Sequence, residues 1–306
     1  MPNAQAANSP PAQTFAPTAP SPGLPTEVPM LDASAWREYH EAPGCETFNS
    51  NHMARVADAA GVERMCFVKM APNTDSPSLL CEALGWVLAG HVGLRRAEFA
   101  AIILVDKLRL AKSQALTYDC ANFRGDFIPA WCSEAIPGHS ILSSAKSSSR
   151  PGMKFITEHK SFLNSTDARK IAAFDRWTGL RDRNMGNVIS HKAGGYASID
   201  HETLLHDVLW GTSKFNLNCL VAHAEERLDS KRIKAFKADM TRAAAGHPGA
   251  LASAQTELHA ILNLFLPGAV AEHAAALDFL STQSQKGWLA SQIGRASCRE
   301  RVLRLV

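Results

Sequence analysis

The chain has 306 residues, 46% of them hydrophobic and 20% charged, enough for one large globular domain or two packed lobes. Its net charge of +3 is too small to predict a basic nucleic-acid face, so no direct nucleic-acid binding is expected. No apolar run approaches the roughly eighteen residues of a membrane span, so no membrane association is expected.

Residues 1–29 are rich in Pro, Ala, Ser and Thr, as in Pro10-Pro11 and Thr18-Ala19-Pro20-Ser21-Pro22. Such a segment buries little apolar surface, and a disordered leader is expected there. The start lacks a basic segment followed by an apolar core, so it does not read as a secretory signal. The seven cysteines Cys45, Cys66, Cys81, Cys120, Cys132, Cys219 and Cys298 show no CxxC spacing. Free thiols in a reducing cytoplasm fit that pattern better than a disulfide framework.

A small lobe is expected over residues 30–126. Met53 to Ala57 predicts a strand, preceded by the polar stretch Asn49-Ser50-Asn51-His52. Backbone N–H groups in that stretch, at Ser50 and Asn51 above all, are candidates to meet phosphate. Met65 to Met70 predicts a short buried strand ending in Lys69, followed by a turn at Pro72, Asn73 and Asp75. Leu79, Leu80, Ala83, Leu84, Val87 and Leu88 recur at helical spacing, with Gly93 as the stop. Ala100 to Val105 is a second apolar strand.

A second, mostly helical lobe is expected over residues 127–291. Ser143 to Gly152, with five serines, reads as a loop. Asp167 to Trp177 predicts a helix. A polar turn follows at Arg181 to Gly186, then two short strands, Val188-Ile189 and Tyr196 to Ile199, joined through Gly194-Gly195 as a hairpin. Three amphipathic helices follow over Ser230 to Ala245, Leu251 to Phe265 and Val270 to Thr282. From about residue 292 the sequence Gln292-Ile293-Gly294-Arg295-Ala296-Ser297-Cys298-Arg299-Glu300-Arg301-Val302 resembles a translated sequencing adapter, and residues 292–306 are set apart as an artefactual tail.

The chemistry concentrates between Asp182 and Asp200. Phosphoryl transfer from ATP needs an oriented hydroxyl and hard oxygen ligands for Mg²⁺. Asp182 on a tight loop suits proton acceptance from a hydroxyl. Asn187, five residues on, can offer an amide oxygen to the metal. The hairpin would return Asp200, a carboxylate, beside Asn187. Taken alone, Asp182-Arg183-Asn184 is also what an ordinary polar turn contains. Arg183 could pair with a carboxylate or touch substrate, and His201 could contact phosphate or cap the turn. No His spacing matches a zinc motif.

The ordered set Asp182-Arg-x-x-Gly-Asn187 and Ile199-Asp200-His201 resembles the catalytic and metal-binding loops of the HipA-like kinases, and more distantly those of phosphatidylinositol kinases. Phe67-Val68-Lys69 resembles the family's strand carrying the phosphate-contacting lysine, and Glu82 matches its acidic partner. The resemblance spans roughly residues 45–210. It implies an α+β, two-lobed kinase-like fold binding ATP and Mg²⁺. Asp182 would be the catalytic base, Asn187 and Asp200 the metal ligands, and Lys69 and Glu82 the phosphate-binding pair. The implied reaction is γ-phosphoryl transfer to a hydroxyl, that of a protein Ser or Thr.

Two residues depart from the family pattern. Asn184 stands where His is usual, and Leu180 where Asn is frequent. They motivate an alternative, a kinase-shaped nucleotide-binding module with little or no catalysis. Some relatives act as toxin or phage-defence components with a helix-turn-helix partner. No such motif occurs here, so an antitoxin-like partner would be encoded separately.

Overall fold

The computed structural model describes residues 27–40, 51–73, 75–113, 118–211 and 220–293. Ser50, the adapter-like residues from 294 onward and residues 1–26 of the expected leader lie outside them. Ile102 N donates to the Pro29 carbonyl at 2.9 Å, and Val28 packs on the core.

The described chain is a mixed α+β structure. In order it forms strands β1 (Met30–Leu31), β2 (Trp36–His40), β3 (His52–Ala57) and β4 (Glu63–Met70), then helix α1 (Ser78–His91). Strand β5 (Ala100–Asp106), helices α2 (Lys107–Lys112) and α3 (Tyr118–Asn122) and strand β6 (Phe127–Glu134) follow. Next come β7 (Gly138–Ser140), α4 (Ile141–Lys146), α5 (Pro151–Leu163), α6 (Thr166–Thr178), β8 (Val188–His191) and β9 (Tyr196–Ser198). The chain continues in α7 (His206–Leu209), α8 (Leu220–Arg227), α9 (Ser230–Ala244), α10 (His247–Phe265) and α11 (Val270–Ser284). None of the described helices is long and apolar enough to cross a membrane.

Six strands make one sheet in the order β1-β5-β6-β4-β3-β2, antiparallel except for the β1–β5 pair. Strand β6 sits between β5 and β4, so the sheet runs through Glu134, and a lobe boundary at 126 would cut it. The sequence underplayed β6 because Pro129 breaks its apolar run. Leu104, its partner in register, lies on β5, and the proline carbonyl still accepts Ala71 N at 2.9 Å.

Side chains alternate across the sheet, as strand geometry requires. Cys66, Val68 and Met70 of β4 enter a core on one face with Ile103, Val105, Ile128 and Cys132. Ile102 and Trp131 enter the opposite core with α1 and the helices beyond it. Lys69, between Val68 and Met70, therefore points to the α1 side. Helix α1 packs against β5, β6 and α10, and residues Leu80 to Ala89 are all buried.

A second, three-stranded sheet has the order β7-β8-β9. The expected hairpin is β8–β9, and β7 is an addition with no sequence signal of its own. The serine-rich stretch is likewise not an open loop. Ser140 caps α4, its Oγ accepting Ser143 N at 3.0 Å, and Pro151 starts α5 at a position where its missing N–H costs nothing. Phe162 and Leu163 then bury one face of α5 in the core.

Candidate active site

The site assembles around Lys69. Its Nζ lies 2.5 Å from Glu82 Oε1, 2.5 Å from Asp200 Oδ1 and 4.0 Å from Glu202 Oε2. The strand, helix α1 and the segment after β9 thus converge on one ammonium. Burial opposes the lysine's charge, but Asp200, Glu82 and Glu202 outweigh it and hold its pKa above the usual lysine range. Burial pushes the Glu82 carboxyl upward, with Lys69 pulling against it. The second Glu82 oxygen accepts His201 N at 3.0 Å, so this one carboxylate joins β4, α1 and the loop carrying Asp200.

Asp200 has φ +62°, a left-handed backbone that Asp tolerates better than most side chains. The loop is fixed from beneath by Arg183, which is fully buried. Its Nε and Nη2 donate to both Asp175 oxygens, at 2.9 Å for the shortest contact, and its Nη1 donates to the carbonyls of Asn187 (3.1 Å) and Ile199 (2.6 Å). One guanidinium therefore ties α6 to both halves of the site. Of its two expected roles, Arg183 takes the structural one. Helix α6 ends at Gly179 with φ +65°, and a Cβ there would lie 2.7 Å from Phe279 Cζ. That sharp stop turns the chain from Asp175 into the Leu180–Asn187 loop.

In this loop, Asp182 N donates to Thr203 Oγ1 at 3.1 Å, and Asn187 Nδ2 donates to the Asp182 carbonyl at 3.1 Å. The second bond engages the nitrogen end of the Asn187 amide. Asn184 Nδ2 lies 3.2 and 3.3 Å from the two Asp182 carboxylate oxygens, while its Oδ1 accepts Gly186 N at 2.7 Å. Leu180 is buried, so it acts in packing.

Other expectations resolve individually. His201 is buried, its Nε2 is 3.1 Å from Ser198 Oγ, and its ring meets Phe174 edge-on. Burial, then the charges of Arg183 and Lys69, hold it well below the ordinary histidine pKa, so it is a neutral packing residue. A Cβ on Gly85 would lie 2.3 Å from His201 Cβ, which shows how closely α1 meets this ring. His52 is also internal, accepting from Trp36 Nε1 at 3.0 Å. Asn51 Oδ1 accepts Met70 N at 3.2 Å and fastens the start of β3 beside the end of β4.

Sequence reasoning missed Glu202, Thr203 and Asp175. Oxygens of Glu82, Asp200 and Glu202 lie within 4.8 Å of one another. Partial desolvation and the Asp200 charge push Glu202 up to about 7, against Lys69. The available signals were adjacency to Asp200 for Glu202, and an acidic residue on the buried face of an amphipathic helix for Asp175.

No protein-family model matches this sequence, and no curated protein does either.

Proposed function

We propose that the chain is a HipA-like, ATP-dependent kinase that transfers the γ-phosphoryl group to the hydroxyl of a protein Ser or Thr. In this reading the six-stranded sheet with α1 is the smaller lobe, the helical remainder is the larger, and the nucleotide lies between them. The observation that carries it is the meeting of Lys69 with Glu82, 13 residues on, and with Asp200, 131 residues on.

Lys69 would neutralise phosphate charge, and Glu82 would hold its ammonium in place. Asp182 would accept the proton of the acceptor hydroxyl. The donor set suits Mg²⁺. Three carboxylates face one ammonium, an excess of negative charge, and the Asn187 amide oxygen adds a neutral hard ligand. Asp200, Asn187 and Glu202 would hold the ion, which would offset charge on the transferring phosphoryl group. Arg183 keeps the two ligand-bearing segments together without touching substrate.

Calorimetric titration with ATP, with and without Mg²⁺, tests this reading. Wild-type protein is expected to bind Mg²⁺-ATP, Asp200→Ala to lose the metal dependence and Lys69→Met to weaken binding. Absence of nucleotide binding by the wild type would remove the proposal.

A second reading rests on Asn184, whose amide already bonds both oxygens of Asp182. A base so engaged suits a nucleotide-binding module with little transfer. It predicts ATP binding without phosphoryl transfer to any protein. If the chain serves with a helix-turn-helix partner, the neighbouring reading frames would encode it.

A further inference from the structure

The helical hairpin α4–α5 starts against the loop that carries Asp182. Leu142 N donates to the Met185 carbonyl at 3.2 Å, and Leu142 Cδ2 lies 3.9 Å from where a Cβ on Gly186 would sit. The hairpin is braced, with Ser144 Oγ on α4 donating to Glu158 Oε1 on α5 at 3.0 Å. A surface built on α4 and α5 thus leads away from the Asp182 loop.

That surface has an unusual composition. Leu142 is 39% exposed, Met153 67% and Ile156 48%, although large apolar side chains in such a segment ordinarily turn inward. It is also basic. From α4 to the end of α5 the segment carries Lys146, Arg150, Lys154 and Lys160 against one acidic residue, Glu158, which pairs with Lys154 at 3.8 Å. Lys146 and Arg150 form no ion pair among the described residues and are exposed. Exposed apolar side chains and unneutralised cations on one helical hairpin complement a chain of the opposite charge that carries apolar residues of its own.

We infer that α4–α5 is the docking face for the phosphate acceptor, and that the acceptor is an acidic polypeptide segment with apolar residues flanking its Ser or Thr. The inference rests on the kinase reading for the word acceptor, but the binding of such a segment does not depend on ATP. Leu142 would take the apolar residue nearest the hydroxyl, since it adjoins the loop that bears Asp182. Met153 and Ile156, one turn apart on α5, would take a residue further along, and Lys146 and Arg150 would pair with the acidic positions.

The test uses two labelled peptides, one of sequence Asp-Glu-Leu-Ser-Leu-Glu-Asp and one with Lys at every acidic position, with binding followed by fluorescence anisotropy. The variants are Lys146→Glu/Arg150→Glu and Met153→Ser/Ile156→Ser, all at exposed positions, with thermal unfolding to verify the fold. The acidic peptide is expected to bind about tenfold or more tighter than the basic one, the charge gap that one or two interfacial pairs supply. Lys146→Glu/Arg150→Glu is expected to reverse that preference, and Met153→Ser/Ile156→Ser to weaken both peptides. Mg²⁺-ATP affinity is expected to be unchanged in both variants. Equal binding of the two peptides, or variants that bind as the wild type does, would overturn the inference even where ATP binds. So would a wild-type dimer in sedimentation that Met153→Ser/Ile156→Ser dissociates, since the face would then belong to a second copy. Failure of wild type to bind ATP, with peptide selectivity intact, would remove the kinase reading and leave the docking face standing.

Discussion

Lys69 and Asp200 stand 131 residues apart in sequence, and their charged atoms lie 2.5 Å apart. With Glu82 on the other side of the same ammonium, the pair holds the sheet, α1 and the loop after β9 together. Lys69→Met removes the cation and leaves the buried Glu82 uncompensated. The expected cost is about 3 kcal/mol in urea unfolding, the usual scale for breaking a buried pair on one side. Adding Glu82→Gln removes the stranded charge, so the double variant is expected to lose less than the sum of the singles. Strict additivity would contradict this coupling.

Arg183 is expected to tolerate no substitution. Arg183→Lys keeps the charge but cannot make the paired contacts to Asp175 and reach the Asn187 and Ile199 carbonyls as well. A loss of about 3 kcal/mol in unfolding free energy is expected, with Asp175→Ala similar and the double variant less than additive. Denaturant titrations of the three proteins measure it.

Asn184 predicts a separation between stability and chemistry. Asn184→Ala loses the bond to Gly186 N and is expected to cost about 1 kcal/mol. It also frees the Asp182 carboxylate, so phosphoryl transfer is expected to rise while Mg²⁺-ATP affinity holds. Parallel unfolding and transfer assays check both halves.

Acid is expected to destabilise the fold through buried histidines. His247 stacks on Trp177 with ring centroids 4.5 Å apart, and burial holds its pKa down to about 3. Burial, with the nearby His223, holds His159 down to about 4, and neither ring nitrogen of His159 has a hydrogen-bond partner among the described residues. Both fold neutral, so the unfolded chain takes up their protons first as pH falls. The stability they permit is complete above about pH 6.5, the unfolded histidine value, and declines below it. The slope is at most about 1.4 kcal/mol per pH unit for each histidine. Unfolding followed from neutral pH to about pH 5 is expected to show this decline, and His247→Phe to flatten it.

The candidate-site residues that sequence reasoning named and the fold brings together share one property: a short-range pattern encodes them. Alternation along β4 sends Lys69 to the face opposite Val68, and the period of α1 brings Glu82 within its reach. Gly194-Gly195 returns β9 beside β8 and so brings Asp200 near Asn187. What was not legible depends on partners distant in sequence. Asp175 falls on the buried face of α6, but its partner Arg183 is set only once the loop folds back beneath it. Glu202 gains meaning from Lys69. The serines of 143–149 have turn-forming propensity, which the Ser140 cap, Pro151 and the burial of Phe162 override. Strand β7 exists because β8 offers it an edge.

The most direct test of the kinase reading is transfer from γ-phosphate-labelled ATP in the presence of Mg²⁺, comparing wild type with Asp182→Ala at matched nucleotide occupancy. The account predicts label on protein Ser or Thr with wild type and a fall of about 10²-fold or more with Asp182→Ala, the scale of a lost general base. Equal labelling by the two proteins, or none by a wild type that binds Mg²⁺-ATP, would contradict it.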